Sequence, residues 1–366
     1  MATFFEVGSH QEQKRAQRVS GDFFLSARAP EPGRIVAVLS DGLGSGIKAR
    51  VLSALTATMA RRFVTDDNHL LRSVEAIMRT LPVCRERKIS YATFTILDLR
   101  RDGQAKLIEF DNPPAMLLRG GCALPLPPPA ETLTVAGPER RTLRVTAFTA
   151  QREDRIILCS DGVTQAGMGG AATPLGWGAD RVQAFAAQAV ADRPDLSARA
   201  LARLVTGEAK RHDRMQCRDD ITCGVVYLRE PRELLVVSGP PITPDRDREL
   251  AAMTERFTGT KVVCGGTTAA ILARELQRTV TVDLRRLDPE VPPCGAMPGF
   301  ALVTEGILTL ARACELLETG GRDAGRVNGA TQLVAQLLDS DRVHFVVGTR
   351  INDRHYDPSV PADLEI

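Results

Sequence analysis

Acidic residues stand at four places where a short apolar run begins or ends. They are Asp22 in SGDFF, Asp41 in VLSDGLGSG, Asp161 in ILCSDGVTQAG, and the pair Asp219 and Asp220 directly before ITCGVVYL. Carboxylates from separate strand ends can converge on one point, and Mg²⁺ and Mn²⁺ prefer oxygen ligands. A pair of such ions can activate a water and neutralise charge on a phosphoryl oxygen. The pattern therefore predicts metal-assisted phosphate hydrolysis, and the lack of histidine or a Cys/His cluster in these segments disfavours zinc.

Each acidic position has a plainer explanation when it is taken alone. Aspartate and glycine are favoured in turns for local backbone reasons, and an acidic pair before a strand can simply face water.

The segment 36–49 also runs from a strand through a glycine loop into a helix, as phosphate-binding loops do. Its glycines lack the GxGxxG spacing, and Lys48 is followed by alanine where a P-loop has Ser or Thr. A nucleotide-binding loop is therefore disfavoured here.

The elements that must position these carboxylates are mostly short strands. Apolar runs predict strands over 35–39, 92–97, 106–110, 115–119, 142–148, 156–159 and 221–228, and helices over 46–63, 70–80, 179–191 and 197–210. In the first helix an apolar stripe recurs at every fourth residue and is predicted to pack on the sheet. The stripe consists of Ile47, Val51, Leu55, Met59 and Phe63. Clustered strands with helices gathered elsewhere favour an α+β fold of packed antiparallel sheets covered by helices.

A second, smaller domain is predicted beyond Pro231, where an apolar strand ends among charged residues. The predicted boundaries are 1–230 and 233–366, and alternating strands and helices in the second segment indicate a small α/β domain. Its turn at 265–268, with the sequence GGTT, could bind an anion at a helix N-terminus. A threonine N-cap, with the glycines serving close packing, is the favoured interpretation of this turn.

The composition is that of an ordinary globular protein. The 366 residues are 43% hydrophobic and 25% charged, and 47 basic against 45 acidic residues leave a net charge of +2. This balance predicts neither a nucleic-acid partner nor an anionic membrane surface. The N-terminal residues show no basic leader, and no apolar run approaches roughly 20 residues, so a cytoplasmic protein with reduced cysteines is expected. The sequence leaves the oligomeric state open.

Taken together and in this order, the segments SGDFF, VAVLSDGLGSGIKA, ILCSDGVTQAG and DDITCGVVYL resemble the signature motifs of the PPM family of metal-dependent Ser/Thr protein phosphatases (type 2C). The bacterial branch similar to stage II sporulation protein E fits best, over about 19–228. The resemblance implies an α-β-β-α sandwich, with two antiparallel sheets flanked by helices. It also implies hydrolysis of phosphoserine or phosphothreonine in a bacterial regulatory protein, by water activated at two Mn²⁺ or Mg²⁺ ions.

The resemblance implies a metal-binding role for six positions. They are Asp22 and Asp41 beside both ions, Gly42 through its carbonyl, Asp161 and Asp219 at the second ion, and Asp220 in a supporting position. The implied catalytic residues are the same set without Gly42 and Asp220. The segment 233–366 carries none of these motifs and is interpreted as a regulatory or substrate-recruiting domain.

Two departures from the family pattern matter. Leu43 stands where many relatives have a histidine that protonates the leaving group, so no general acid is assigned. The phosphate-binding arginine of the eukaryotic branch has no counterpart near the N-terminus, and Lys48 is interpreted as a solvated charge. A phosphatase-like binding module with a vestigial metal site is therefore the alternative, although all four acidic positions are intact.

Overall fold

The computed structural model describes residues 3–65, 92–135, 141–171, 173–282, 288–289, 291–320 and 326–350. The chain forms two compact units, Met1–Glu230 and Pro231–Ile366. The helix predicted over 70–80 and Cys84 lie outside the described residues, and the side chain of Phe63 is not among those described. Among the helices that are described, none is both long and apolar enough to span a bilayer.

The first unit contains two antiparallel sheets and the helices that cover them. The six-stranded sheet has the order β2-β3-β4-β5-β9-β8 and the five-stranded sheet the order β1-β11-β10-β6-β7. The strands are β1 (Phe4–Glu12), β2 (Phe23–Arg28), β3 (Arg34–Gly42), β4 (Ala92–Arg100), β5 (Gln104–Phe110), β6 (Met116–Arg119), β7 (Cys122–Leu124), β8 (Glu131–Val135), β9 (Arg141–Thr149), β10 (Asp154–Cys159) and β11 (Ile221–Arg229). The helices are α1 (Gly46–Thr65), α2 (Asp161–Thr164), α3 (Ala179–Asp192) and α4 (Ala198–His212).

Three apolar layers hold this unit together. Strand β3 is buried on both faces, so it reads as a continuous apolar run. Its residues Ile35 and Leu39 face Leu158 and Leu228 of the other sheet, while Val36 and Val38 face the helix α1. The outer face of the five-stranded sheet packs against α3 and α4. The order of layers is therefore helix, sheet, sheet, helix, and the predicted α-β-β-α sandwich is confirmed.

Helix α1 packs on the six-stranded sheet, but three residues of the stripe predicted for this contact are exposed, and of its described residues only Met59 packs inward. Ile47 is 73% exposed, Val51 60% and Leu55 45%. The buried residues of this helix are small, and they are Gly46, Ala49, Ser53, Thr56, Ala57 and Ala60. These positions also follow helical spacing, and small side chains let the helix axis approach the sheet more closely than a stripe of Ile, Val and Leu would.

The second unit is a doubly wound α/β sheet with four parallel strands. Its strand order is β14-β15-β16-β13-β12-β17, in which β12, β13, β16 and β17 run parallel and the short β14 and β15 are antiparallel. The strands are β12 (Glu233–Ser238), β13 (Thr260–Cys264), β14 (Thr281–Val282), β15 (Gly295–Ala296), β16 (Leu302–Thr304) and β17 (Arg342–Val347). The helices are α5 (Asp247–Arg256), α6 (Gly266–Glu275), α7 (Ile307–Glu318) and α8 (Gly329–Asp339).

Each face of this sheet is covered by two helices. Leu235 and Val237 of β12 pack with α5 and α6, whereas Leu234 and Val236 pack with α7 and α8. The turn with the sequence GGTT joins β13 to α6. The N-cap residue of α6 is Gly265, which has a φ of 129° and makes no side-chain capping bond. The favoured interpretation of this turn as a threonine N-cap is therefore wrong.

Candidate metal centre

The acidic residues predicted from the sequence lie at one end of each sheet of the first unit. Strands β2 and β3 pair in a register that makes Asp22 and Asp41 neighbours. Strands β10 and β11 pair so that the turns carrying Asp161 and Asp219 adjoin each other. The Asp41 carboxyl interacts electrostatically with those of Asp22, Asp161 and Asp219, so the ends of the two facing sheets meet there. The sandwich thus brings together carboxylates that are up to about 200 residues apart in sequence.

Both SDG turns need their glycine because another backbone segment lies directly against it. A Cβ on Gly42 would stand 2.2 Å from the carbonyl oxygen of Ala49, where α1 folds back over the end of β3. A Cβ on Gly162 would stand 2.1 Å from the carbonyl oxygen of Asp220. No side chain fits at either distance. The two aspartates are therefore fixed by close backbone packing on their C-terminal side.

Asp22 is the most deeply buried of these carboxylates. Its side chain is 1% exposed, and neither Oδ1 nor Oδ2 has a hydrogen-bond partner. The hydroxyls of Ser160 and Thr222 lie near enough to lower its pKa but fall short of hydrogen-bond geometry. Its backbone carbonyl, in contrast, accepts from Gln11 Nε2 at 3.2 Å and from the Arg50 guanidinium. A buried carboxylate without donors is costly, so these two oxygens point to a ligand that is positively charged.

Asp220 and Asp219 differ in what their carboxylates contact. Both oxygens of Asp220 accept backbone N–H groups, from Lys14 at 2.9 Å and from Gly21 at 2.8 Å. Asp220 thereby ties the segment before β2 to the start of β11 and holds Asp22 in place. Asp219 is half exposed, and its Oδ1 lies 3.3 Å from Lys14 Nζ. Asp219 is the more accessible of the two for a metal ion.

Burial and mutual repulsion raise the pKa values of three of these carboxyls, so they do not all ionise together. Burial raises the pKa of Asp22 from an ordinary 3.8 to about 7. Burial, together with the charges of Asp22 and Asp161, raises the pKa of Asp41 well above its usual range. Burial and the charge of Asp219 raise the pKa of Asp161. Carboxylates that share a poorly solvated site cannot all be charged unless cations neutralise them.

These residues fit a centre for Mg²⁺ or Mn²⁺ by their chemistry. The donors are all oxygens, and two of them are buried and have no protein partner. In the described part of the chain, no three His, Cys, Asp or Glu side chains are already grouped closely enough to hold one ion. The carboxyls of Asp22, Asp41 and Asp161 nevertheless lie near enough to interact with one another.

Sequence reasoning missed two cations that reach this cluster. Lys14 lies in the segment after β1, pairs with Asp219 and lowers the pKa of Asp161. Arg50 lies in α1, contacts the backbone of Asp22 and stacks 4.4 Å from the ring centre of Phe23. Neither belongs to a motif, and their positions depend on tertiary packing. Leu43, at the position of the missing general acid, is half buried beside Gly42.

Comparison with known proteins shows the family to which the chain is related. The model of the stage II sporulation protein E (SpoIIE) family matches residues 31–229, which is more than half of the chain. The structure of the PP2C phosphatase domain and a regulatory-domain fragment of SpoIIE from Bacillus subtilis is 18% identical, with a TM-score of 0.50, and the match covers 62% of this chain and 64% of that one. The RsbU and RsbW domains of a Mycobacterium tuberculosis protein are 19% identical over 69% of each chain, with a TM-score of 0.49. A search of curated protein sequences gave no match.

Proposed function

Because the chain belongs to the stage II sporulation protein E family of PP2C-type phosphatases, we propose that it is a metal-dependent protein serine/threonine phosphatase. The single observation that carries this proposal is the Asp22 carboxylate, which is buried with two unpartnered oxygens inside a cluster of other carboxylates. Its substrate would be phosphoserine or phosphothreonine in a bacterial regulatory protein in the cytoplasm. The second unit would act as a regulatory or substrate-recruiting domain.

Five residues would hold the ions, and each has a distinct setting. They are Asp22 and Asp41 at one end of the six-stranded sheet, the carbonyl of Gly42, and Asp161 and Asp219 at the end of the five-stranded sheet. Asp220 would support them, because both of its oxygens accept backbone N–H groups. Two bound Mn²⁺ or Mg²⁺ ions would supply an activated water and charge neutralisation at the phosphoryl group.

Two functions beside metal binding would fall to side chains of the chain, namely binding the substrate phosphate and protonating the leaving group. Lys14 and Arg50 are the cations that reach the carboxylates, and Lys14 is exposed enough to contact a phosphate oxygen. Leu43 can neither donate nor accept a proton. We therefore expect the leaving serine or threonine alkoxide to be protonated by water, unless another residue approaches when substrate binds.

The test is hydrolysis of a phosphoserine peptide by the full chain, with Mn²⁺ and with EDTA. Asp41→Asn and Asp161→Asn keep the side-chain shape but remove a charged ligand, so each should reduce activity to background while the protein stays folded. Asp192→Asn is the matched control, because Asp192 is exposed at the end of α3 and its carboxylate accepts a hydrogen bond from Gln188 of the same helix. Undiminished turnover in both site variants would contradict the assignment.

A phosphatase-like binding module is the second candidate, and the observation that favours it is Leu43 in place of a proton donor. The two candidates differ in one measurement. A binding module would bind Mn²⁺ and phosphopeptide but release no phosphate, whereas a phosphatase would show metal-dependent release that stops in the Asp41→Asn variant.

A further inference from the structure

Three segments that border the candidate metal centre carry basic residues and no acidic ones. They are 13–19, 43–50 and 214–218, which we call the basic rim. The rim contains seven lysine or arginine residues and neither aspartate nor glutamate, whereas the whole chain has 47 basic and 45 acidic residues. The excess of positive charge is therefore local. The basic residues of the rim are Lys14, Arg15, Arg18, Lys48, Arg50, Arg214 and Arg218.

Contacts join the three segments to each other. The Arg15 N–H donates to the Cys217 carbonyl at 2.9 Å, and a Cβ on Gly46 would stand 2.8 Å from Gln17 Oε1. The segment 13–19 therefore lies between the other two. Because the other two segments adjoin proposed metal ligands in the sequence, the rim forms one continuous border of the centre.

Several charges of the rim are exposed and are not neutralised by a carboxylate of the chain. Arg15 donates to Gln216 Oε1 and Arg218 to a backbone carbonyl, each at 2.6 Å, so both contact neutral oxygens. Arg18 and Arg214 are exposed and form no ion pair with a carboxylate of the described residues. These guanidinium groups can therefore bind an anion from outside the chain.

Charges at the opposite end of the sandwich are arranged differently. Strand β3 begins at Arg34 and β10 at Asp154, whereas the other ends of these two strands lead into the metal centre. Arg34 Nε lies 2.8 Å from Asp98 Oδ1, and Arg119 Nε lies 2.6 Å from Asp154 Oδ1. Basic residues at that end are thus matched by acidic neighbours, and the unmatched charge belongs to the end that carries the metal centre.

A polypeptide rich in carboxylates is the partner that suits this border. Two divalent ions would offset the charge of the four carboxylates proposed as ligands, so the rim then determines the sign of the field around the centre. Guanidinium groups bind carboxylates through paired hydrogen bonds. The rim contains no Phe, Tyr or Trp, the residues on which the bases of a single-stranded nucleic acid stack.

We propose that the basic rim binds acidic residues that flank the phosphoserine or phosphothreonine of the substrate. This inference rests on the proposed phosphatase function and specifies its substrate class, which is a phosphorylated segment rich in aspartate and glutamate. One exposed ion pair contributes up to about fivefold in affinity. Several pairs along the rim should therefore produce a preference of about tenfold or more.

The first test compares three phosphoserine peptides as substrates of the full chain with Mn²⁺. Their flanking residues are Asp and Glu in one peptide, Asn and Gln in the second, and Lys and Arg in the third. We expect kcat/KM to be about tenfold or more higher for the acidic than for the neutral peptide, mainly through KM, and lowest for the basic peptide. The preference should shrink several-fold between about 0.05 and about 0.3 M salt, because salt screens exposed charges. Equal kcat/KM for the acidic and neutral peptides at low salt would overturn the proposal.

Charge reversal identifies the rim as the source of this preference. The double variant Arg18→Glu and Arg214→Glu should lose the preference for the acidic peptide but keep its turnover of p-nitrophenyl phosphate, because neither residue is a proposed ligand. Arg193→Glu is the matched control. Arg193 is exposed, and the carbonyl of the next residue accepts from Arg155 near the start of β10, away from the centre. A preference that survives in the double variant, or that is lost equally in the control, would refute the role of the rim.

A binding measurement separates this proposal from the phosphatase function. Fluorescence anisotropy with the unphosphorylated acidic peptide requires no turnover, and we expect saturable binding to the Mn²⁺-loaded chain that weakens several-fold in the double variant. Such binding without phosphate release from any substrate would refute the phosphatase function and support the rim as a site for acidic peptides. Phosphate release without any effect of peptide charge would support the function and refute the rim. A single-stranded oligonucleotide that binds the rim more tightly than the acidic peptide would overturn the proposal in favour of a nucleic-acid partner.

Discussion

Removal of the Asp22 charge should stabilise the metal-free protein above neutral pH, although it destroys a proposed metal ligand. Asp22 is buried with no donors, and burial raises its pKa from 3.8 to about 7. Below pH 4 the folded and unfolded chains both hold the proton, and the charge has no effect. Between about pH 4 and 7 the unfolded chain releases the proton while the folded chain keeps it, so stability falls as pH rises.

The magnitude follows from the shift in pKa. A difference of about 3 units corresponds to about 4 kcal/mol lost at pH 8, and to about 1 kcal/mol at pH 4.5. For a domain of this size, Asp22→Asn should therefore raise the melting temperature by about 8–16 °C at pH 8 and about 2–4 °C at pH 4.5. The neighbouring carboxyls share the titration, so the difference between the two pH values is the quantity to measure.

Thermal melts in EDTA at both pH values provide the assay. The transition of the first unit is identified as the one that shifts when Mn²⁺ is added to the wild-type protein, because a ligand stabilises only the unit that binds it. Asp192→Asn, on the exposed end of α3, controls for the loss of one negative charge. A difference between Asp22→Asn and wild type that is the same at pH 8 and pH 4.5 would show that the buried carboxylate carries no charge penalty.

Three further predictions concern the site and the domain boundary. Lys14→Met should lower the Mn²⁺ concentration for half-maximal activity several-fold, because the Lys14 ammonium lies 3.3 Å from Asp219 Oδ1 and competes with Mn²⁺ for this carboxylate. A higher Mn²⁺ requirement in the variant would contradict this competition. Leu43→His should raise turnover of a phosphoserine peptide relative to p-nitrophenyl phosphate, whose leaving group needs no proton, and an unchanged ratio would mean that the proton comes from elsewhere. Residues 1–230 alone should fold and hydrolyse p-nitrophenyl phosphate, since every proposed ligand and all three apolar layers of the first unit precede Pro231; an insoluble or inactive fragment would contradict an independent catalytic domain.

Strand prediction succeeded in the first unit because its central strands are buried on both faces. Strands β3, β10 and β11 read as unbroken apolar runs and were predicted within a few residues. Four strands were missed, β1, β2, β7 and β8. Of these, β1 and β2 are mostly half buried, and their sequences mix charged or polar residues with apolar ones. Their positions follow from pairing with β11 and β3, which no local pattern contains.

The candidate site could be predicted at the level of its aspartates but not of its contacts. Motif order identified Asp22, Asp41, Asp161 and the acidic pair at 219–220 as one group. It did not reveal that Asp22 lacks any donor, because this depends on how Ser160 and Thr222 are oriented in the folded sheet. The pairing of Lys14 with Asp219 spans 205 residues and was likewise invisible in the sequence.

The error on α1 arises from the same contact that shapes the metal centre. Gly42 follows Asp41 directly, and its Cα faces the Ala49 carbonyl so closely that a Cβ would stand 2.2 Å away. Helix α1 must therefore begin almost against the strand end, and only small side chains fit between them. Ala49 and Ser53 meet this requirement, and the Ser53 hydroxyl donates to the Gly21 carbonyl at 2.6 Å. With the small face fixed inward, Ile47 and Val51 are left on the outer face. Hydrophobic periodicity therefore predicted the wrong side for the first part of the helix, although Met59 farther along packs inward.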